Sequence, residues 1–188
     1  MIILAAGLSK RMGYPKPFLK FDLQHTFLEH LILLYQKLPI SKVVVVLNAA
    51  HRSYLDSAFV AKENVCFIFN EVPEKGRLHS LKLGLCAVKD NSATVIQNID
   101  NPLVHISTVQ KILSYCFSEN CVIPTYQKKG GHPILLSQSV FDKISAAPES
   151  ATLRDILLYE KKYYVETFDK GILININTQE DYQQHFLR

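Results

Sequence analysis

Met1-Ile2-Ile3-Leu4-Ala5-Ala6-Gly7-Leu8-Ser9-Lys10-Arg11-Met12-Gly13-Tyr14-Pro15-Lys16 opens the chain. The apolar run reads as a short buried strand that empties into a loop holding two glycines, a serine and three cations. Gly7 lets the backbone come close to a ligand. The loop amides, with Lys10, Arg11 and Lys16, can surround polyphosphate oxygens. Pro15 and Pro17 restrict the backbone on either side of Lys16 and help hold its ammonium in place. Two common phosphate-binding patterns fail here. The Walker pattern needs a lysine after its second glycine, but Tyr14 follows Gly13, and the glycine spacing is too long. The dinucleotide pattern G-x-G-x-x-G is absent as well. A P-loop ATPase and a hydride-transfer enzyme are therefore set aside.

Beyond this loop, strand-like and helix-like stretches alternate. Lys42–Leu47, with its run of four valines, reads as a strand buried on both faces. Val65–Phe69, Ala93–Ile99 and Cys121–Thr125 are further strands. Phe27–Leu38, Ser53–Val60, Leu78–Val88 and Val104–Phe117 carry helical spacing between them. Such alternation implies right-handed crossovers and a mainly parallel sheet covered by helices, an α/β architecture. Ligands in such sheets bind beyond the carboxyl ends of the strands, which singles out Gly7 onward, Asn48, Asn70 and Asp100. The last third is less regular. Pro133–Leu136, Tyr163–Thr167 and Ile172–Ile176 read as strands, and Val140–Ile144, Thr152–Tyr159 and Gln179–Phe186 as helices, with Ser145–Ser150 as an exposed loop.

Composition narrows the classes. The chain has 188 residues, enough for one domain with a real core. Its net charge of +4 is small and scattered, so nucleic acid is not the expected partner. A mean hydropathy of +0.06 fits a folded chain. No apolar run approaches the roughly 20 residues of a bilayer span. No basic stretch precedes the apolar opening, so a cleaved leader is not expected. Cys66, Cys86, Cys116 and Cys121 form no Cys-x-x-Cys pair and read as buried, reduced thiols of a cytoplasmic protein. His25 and His30 lack metal-ligand spacing.

Asp100 follows the strand Ala93–Ile99 and is well placed to bind a hard cation, because magnesium takes one or two carboxylates plus substrate phosphates. Gly76 frees the turn before a helix, and Ser80 presents a hydroxyl near its first turn.

Residues 4 to 16 resemble the signature L-A-A-G-x-S-x-R-M-G-x-x-K of the MobA-like nucleotidyltransferases, and every specified position matches. The resemblance implies a three-layer α/β/α, Rossmann-like nucleotide-diphospho-sugar transferase fold. It places the Leu4, Ala5, Ala6 and Gly7 backbone and Ser9 near base and ribose, with Gly13 in the same nucleotide-binding loop. It makes Arg11 and Lys16 the holders of the triphosphate. Gly76-Arg77-Leu78-His79-Ser80-Leu81 is similar to the family's segment beside the base, which implies nucleotide contacts for Gly76 and Ser80. Asp100-Asn101-Pro102-Leu103-Val104 resembles the family's Asp-Gln-Pro-Leu-Val, whose aspartate carries the metal. Gly131-His132-Pro133 matches a Gly-His-Pro that introduces a strand near the acceptor, behind a basic, flexible approach of Lys128, Lys129 and Gly130. His132 is expected to position rather than to catalyse.

Two departures stand out. Asn175-Ile176-Asn177-Thr178-Gln179-Glu180-Asp181-Tyr182 resembles Asp-Ile-Asp-Thr-Pro-Glu-Asp-Tyr, with both leading aspartates replaced. Asn177, rather than Asn175, is the expected second metal ligand; its oxygen can coordinate magnesium but brings no formal charge. Residues 149–157 replace the Gly-Asp-x-Gly-Ala-Arg segment of molybdenum cofactor cytidylyltransferases, which puts a pterin acceptor in question.

The implied activity is Mg2+-dependent transfer of a nucleoside monophosphate from an NTP to an anionic phosphorylated acceptor. The catalytic residues are Arg11, Lys16 and Asp100, and the metal ligands Asp100 and Asn177. CTP is favoured over GTP, because the family's guanylyltransferases read Leu-Ala-Gly-Gly where this chain has Leu4-Ala5-Ala6-Gly7. A sugar- or alditol-phosphate nucleotidyltransferase is the enzymatic alternative, and a nucleotide-binding regulator with a degenerate metal site is the non-catalytic one. The expected organisation is one domain over 1–188, as monomer or homodimer, with a nucleotide-binding half at 1–103 and an acceptor-binding half at 104–188.

Overall fold

Side-chain alternation along the apolar strands divides the core in two. In β1 (Ile2–Ala5), Ile3 and Ala5 face one cluster and Ile2 and Leu4 the other. β2 (Val43–Asn48) does the same, with Val43, Val45 and Leu47 opposite Val44 and Val46. Both strands are buried throughout, as strands covered on both faces by helices must be. The computed structural model describes residues 1–55, 64–88, 93–115 and 120–186.

On one face pack α1 (Phe27–Gln36) and α3 (Ile106–Leu113), with α6 (Gln179–Phe186) against their edge. On the other pack α2 (Gly76–Cys86), α4 (Gln138–Ala146) and the short α5 (Leu153–Ile156). The result is a three-layer α/β/α arrangement. α1 starts at a capping box in which Thr26 and Glu29 satisfy each other's backbone N–H groups.

The remaining strands are β3 (Val65–Asn70), β4 (Ala93–Asn98), β5 (Cys121–Tyr126), β6 (Lys129–Gly130), β7 (Ile134–Ser137) and β8 (Lys162–Glu166). The eight strands form one sheet in the order β3-β2-β1-β4-β7-β5-β6, with β8 paired to β5. The pairs β1–β2, β1–β4, β2–β3 and β5–β8 are parallel, while β7 runs antiparallel between β4 and β5. β1 has β2 on one side and β4 on the other, so the strand order reverses there. A crevice opens at such a reversal, beyond the strands' carboxyl ends.

Several expectations change. Ile172–Ile176 is not a strand. Residues Lys170–Leu173 form a single tight turn whose start is capped by Asp169, and the chain then runs extended without a ladder. Two local ties hold it: the Ile176 N–H donates to the Asp100 carbonyl, and the Asn101 amide donates to the Ile174 carbonyl. The approach at Lys128–Gly130 is not a loose segment. Gln127 and Lys128 both take positive φ, 49° and 64°, and close a two-residue hairpin between β5 and β6. The helical turn near Ser53 is Ala49–Tyr54, capped by Asn48, and residues 56–60 of the expected helix lie outside the described residues. α3 ends at Leu113, short of the expected Phe117, which also lies outside them. α4 runs through Ala146, into the stretch expected to be loop. Cys86 is exposed rather than buried, Cys66 is half-buried and Cys121 buried; Cys116 is outside the described residues.

Candidate active site

A crevice of about 280 Å³ lies where β1 and β4 end. Its wall contains Leu4, Ala5, Ala6, Gly7, Ser9, Lys16, Gly76, Ser80, Asp100 and Asn177. These positions span the whole chain. Arg11 and Gly13 are exposed and do not line it, although the Arg11 charge is felt at Lys16.

The loop after β1 is built by Ser9, whose backbone adopts φ 50°. Its carbonyl accepts from the Met12 and Gly13 N–H groups, and its hydroxyl accepts from the Lys16 N–H at 3.2 Å. This folds the loop back so that the Lys16 side chain enters the crevice. A side chain at Gly7 would meet no protein atom within 4 Å, so the space beside the backbone is open to a ligand.

Lys16 meets residues from two distant segments. Its Nζ donates to Asn177 Oδ1 at 2.7 Å and lies 3.9 Å from Asp100 Oδ2. Burial pulls the Lys16 ammonium below its ordinary pKa. Asp100 opposes this, while Arg11 and Arg77 add to it. A half-buried cation among other cations suits an anionic ligand.

Asn177 is placed by the start of α6. The Asp181 carboxylate accepts from the Asn177 and Thr178 N–H groups, and these bonds hold that carboxyl below the usual carboxylate range. The Gln179 amide donates to the Met12 carbonyl and ties α6 to the loop. Asn175 points elsewhere: its oxygen accepts from the Asn101 amide.

The donor set fits a divalent cation. Asp100 Oδ1 and Asn98 Oδ1 are buried and have no hydrogen-bond partner among the described residues. Orphaned buried oxygens are costly unless something satisfies them. One carboxylate oxygen and amide oxygens leave room for phosphate ligands, the arrangement a hard cation takes. Asn98 and Arg77, which also line the crevice, had no assigned role in the sequence. An amide at the end of an apolar central strand was the available signal for Asn98. Asn48 and Asn70, at other strand ends, serve local turns instead. The Ser80 hydroxyl donates to the Gly76 carbonyl and accepts from the Asn70 amide, which leaves it able only to accept from a ligand.

A larger cavity of about 1090 Å³ adjoins the crevice and shares Leu4, Gly76, Arg77 and Asn98 with it. Lys75, Lys128, Arg154 and Lys162 line it against one carboxylate, Glu149, and its floor is apolar. His132 also faces it. Burial pushes the His132 ring down to about 4, with Arg77 adding to this and Asp100 opposing it, and His30 falls to about 4, also chiefly through burial.

These two histidines stay neutral in the folded chain where they protonate in the unfolded one. Their stabilisation is present above the ordinary histidine value and is lost as pH falls from about 6.5 towards 4. The urea midpoint is therefore expected to drop between pH 7 and pH 5, and to drop less in His132→Asn. An equal slope in that variant would remove His132 from the account.

The family match makes this chain a nucleotidyltransferase. The chain matches the MobA-like NTP transferase domain over residues 1–163 and belongs to that family. It is 28% identical, over 96% of its length and 92% of the relative's, to a molybdenum cofactor cytidylyltransferase of Escherichia coli (strain K12). The fold is shared with Rv0371c of Mycobacterium tuberculosis H37Rv, at a TM-score of 0.78, 20% identity and coverage of 97% and 95% of the two chains. A manganese complex of that protein superposes at 0.77, with 19% identity and coverage of 98% and 95%. No helix among the described residues is long and apolar enough to cross a membrane.

Proposed function

We propose that the chain transfers the nucleoside monophosphate of an NTP, with CTP preferred, to an anionic phosphorylated acceptor, with Mg2+ as cofactor. The observation that carries this reading is the meeting of Lys16, Asp100 and Asn177 in one crevice, with Asp100 Oδ1 buried and without a hydrogen-bond partner among the described residues. The cationic lining of the adjoining cavity supports an anionic acceptor. Residues 1–103 supply most of the nucleotide side and 104–188 most of the acceptor side, with Asn177 crossing to the former.

In the reaction an acceptor oxygen attacks the α-phosphorus. The new O–P bond forms as the bond to the bridging oxygen breaks, and pyrophosphate leaves with the electron pair. Positioning and charge neutralisation carry the rate. Leu4–Gly7, Ser9, Gly76 and Ser80 seat base and ribose. Lys16, with Arg11 and the Gly13 turn, holds the outer phosphates as charge builds on them. Asp100 and Asn177 would hold the magnesium ion. When bound, it neutralises phosphate charge and polarises the reacting group. An ionised phosphate acceptor needs no general base.

Pyrophosphate release measured with each of the four NTPs across phosphorylated acceptors tests the reading. CTP should be turned over best. A clear GTP preference rejects the base assignment, and binding of no NTP rejects the function.

A further inference from the structure

We infer that the Lys16 ammonium is the resident cation of the Asp100–Asn177 pair, so that the divalent ion enters with the nucleotide and not ahead of it. The inference rests on the nucleotide and metal roles proposed above, and concerns the order in which they are filled.

The Lys16 ammonium sits 2.7 Å from one expected metal ligand and 3.9 Å from the other. Both carboxylate and ammonium are largely shielded, with 13% of each side chain exposed. As it stands the cluster is balanced: one carboxylate faces one ammonium, and Asn177 and Asn98 add none. Had position 177 been an aspartate, the same cluster would have kept a negative charge in the presence of Lys16, and that charge would attract a free divalent ion. With asparagine there, a divalent ion arriving alone adds two positive charges beside an ammonium in a partly dehydrated crevice. Arg11 and Arg77, whose charges reach Lys16, make that worse, and Asp181, whose charge also reaches it, offsets them only in part.

The backbone that carries the oxygen partner is held in place. Asp181 holds the Asn177 and Thr178 N–H groups, and Gln179 ties the same turn to the Met12 carbonyl. The Lys16 backbone is fixed too, by its bond to the Ser9 hydroxyl and by a proline on either side. With both backbones held, the long Lys16 side chain has the greatest reach to swing. A triphosphate gives it somewhere to go and supplies the negative charge the divalent ion needs. Lys16 then passes from Asn177 and Asp100 to the phosphates, and the oxygens it leaves become ligands.

Electron paramagnetic resonance of Mn2+ added to the full chain tests this directly, without turnover. In the wild type, Mn2+ should bind at least about ten-fold more weakly without CTP than with it, Mn2+ and CTP without protein serving as reference. In Lys16→Met, Mn2+ alone should bind about ten-fold or more tightly than to the wild type. Lys16→Arg, which keeps the charge, should not show that gain. Wild-type Mn2+ affinity that is strong and indifferent to CTP overturns the inference, and so does a folded Lys16→Met with unchanged Mn2+ affinity. Should Lys16→Met fail to fold, as read by circular dichroism, the wild-type comparison with and without CTP decides alone. Failure of every NTP to bind sinks the proposed function, and the nucleotide-free comparison of wild type with Lys16→Met then still decides whether Lys16 keeps the ion out.

Discussion

Asp100→Asn is expected to lower kcat/KM for pyrophosphate release by about 10³-fold, in line with losing one fixed charge-stabilising group from a transition state. The substitution keeps the shape of the side chain. It also keeps the backbone carbonyl that accepts from the Ile176 N–H, so the C-terminal segment stays in place. What it removes is the negative charge 3.9 Å from Lys16 Nζ, and it turns one of the two carboxylate oxygens into an amide nitrogen that cannot hold a cation. Folding should hardly change, because the melting temperature depends on the core and not on this oxygen. Turnover with progress curves at saturating Mg2+, beside a thermal melt, separates the two. Retained activity in a folded Asp100→Asn would show that the crevice works without this carboxylate. The Asn177→Ala loss should be smaller, since a neutral amide contributes less than a charged ligand.

Phe27→Ala is expected to cost about 3–5 kcal/mol of stability, the range for truncating a buried aromatic ring. Phe27 is fully buried at the start of α1, and its ring lies 4.9 Å from that of Phe186 and 6.0 Å from that of Tyr182, centroid to centroid. Both partners belong to α6, the helix whose first turn carries the carboxylate that sets Asn177. The loss should therefore be felt at the crevice. Alongside a fall in melting temperature of roughly 10 °C or more, the Mg2+ concentration needed for half-maximal rate should rise. Tyr182 adds a second anchor through its hydroxyl, which donates to the Lys20 carbonyl. A destabilised variant with an unaltered Mg2+ requirement would mean that Asn177 does not depend on this packing.

The parts of the site that were legible in the sequence are those whose chemistry is local. Leu4–Gly7, Ser9 and Lys16 lie in one contiguous loop, and the strand before it is apolar enough to be recognised as buried. Asp100 could be read because it stands at the end of an apolar strand, where α/β sheets open their crevices. The same rule pointed equally to Asn48 and Asn70, which do not line the crevice. Each of those amides satisfies an N–H two residues ahead of it, a competition between a local turn and a ligand that strand patterns do not reveal. Residues 172–176 misled for a related reason. Their apolar alternation suits a strand, but Lys170–Leu173 turn tightly, the residues after them pair with no strand among the described residues, and they are held by Asp100 and Asn101 instead.

The order of apolar and polar residues by itself determined that this chain forms a layered α/β molecule with a glycine- and cation-rich loop after its first strand, because burial on both faces of a strand requires unbroken apolar runs. Only the tertiary structure decided that Lys16 meets Asn177, 161 positions away, that Asn98 and Asp100 keep buried oxygens without partners among the described residues, and that a cationic cavity adjoins them. Those contacts depend on where β1, β4 and the approach to α6 come together in space, and one-dimensional spacing carries no record of distances across a sheet.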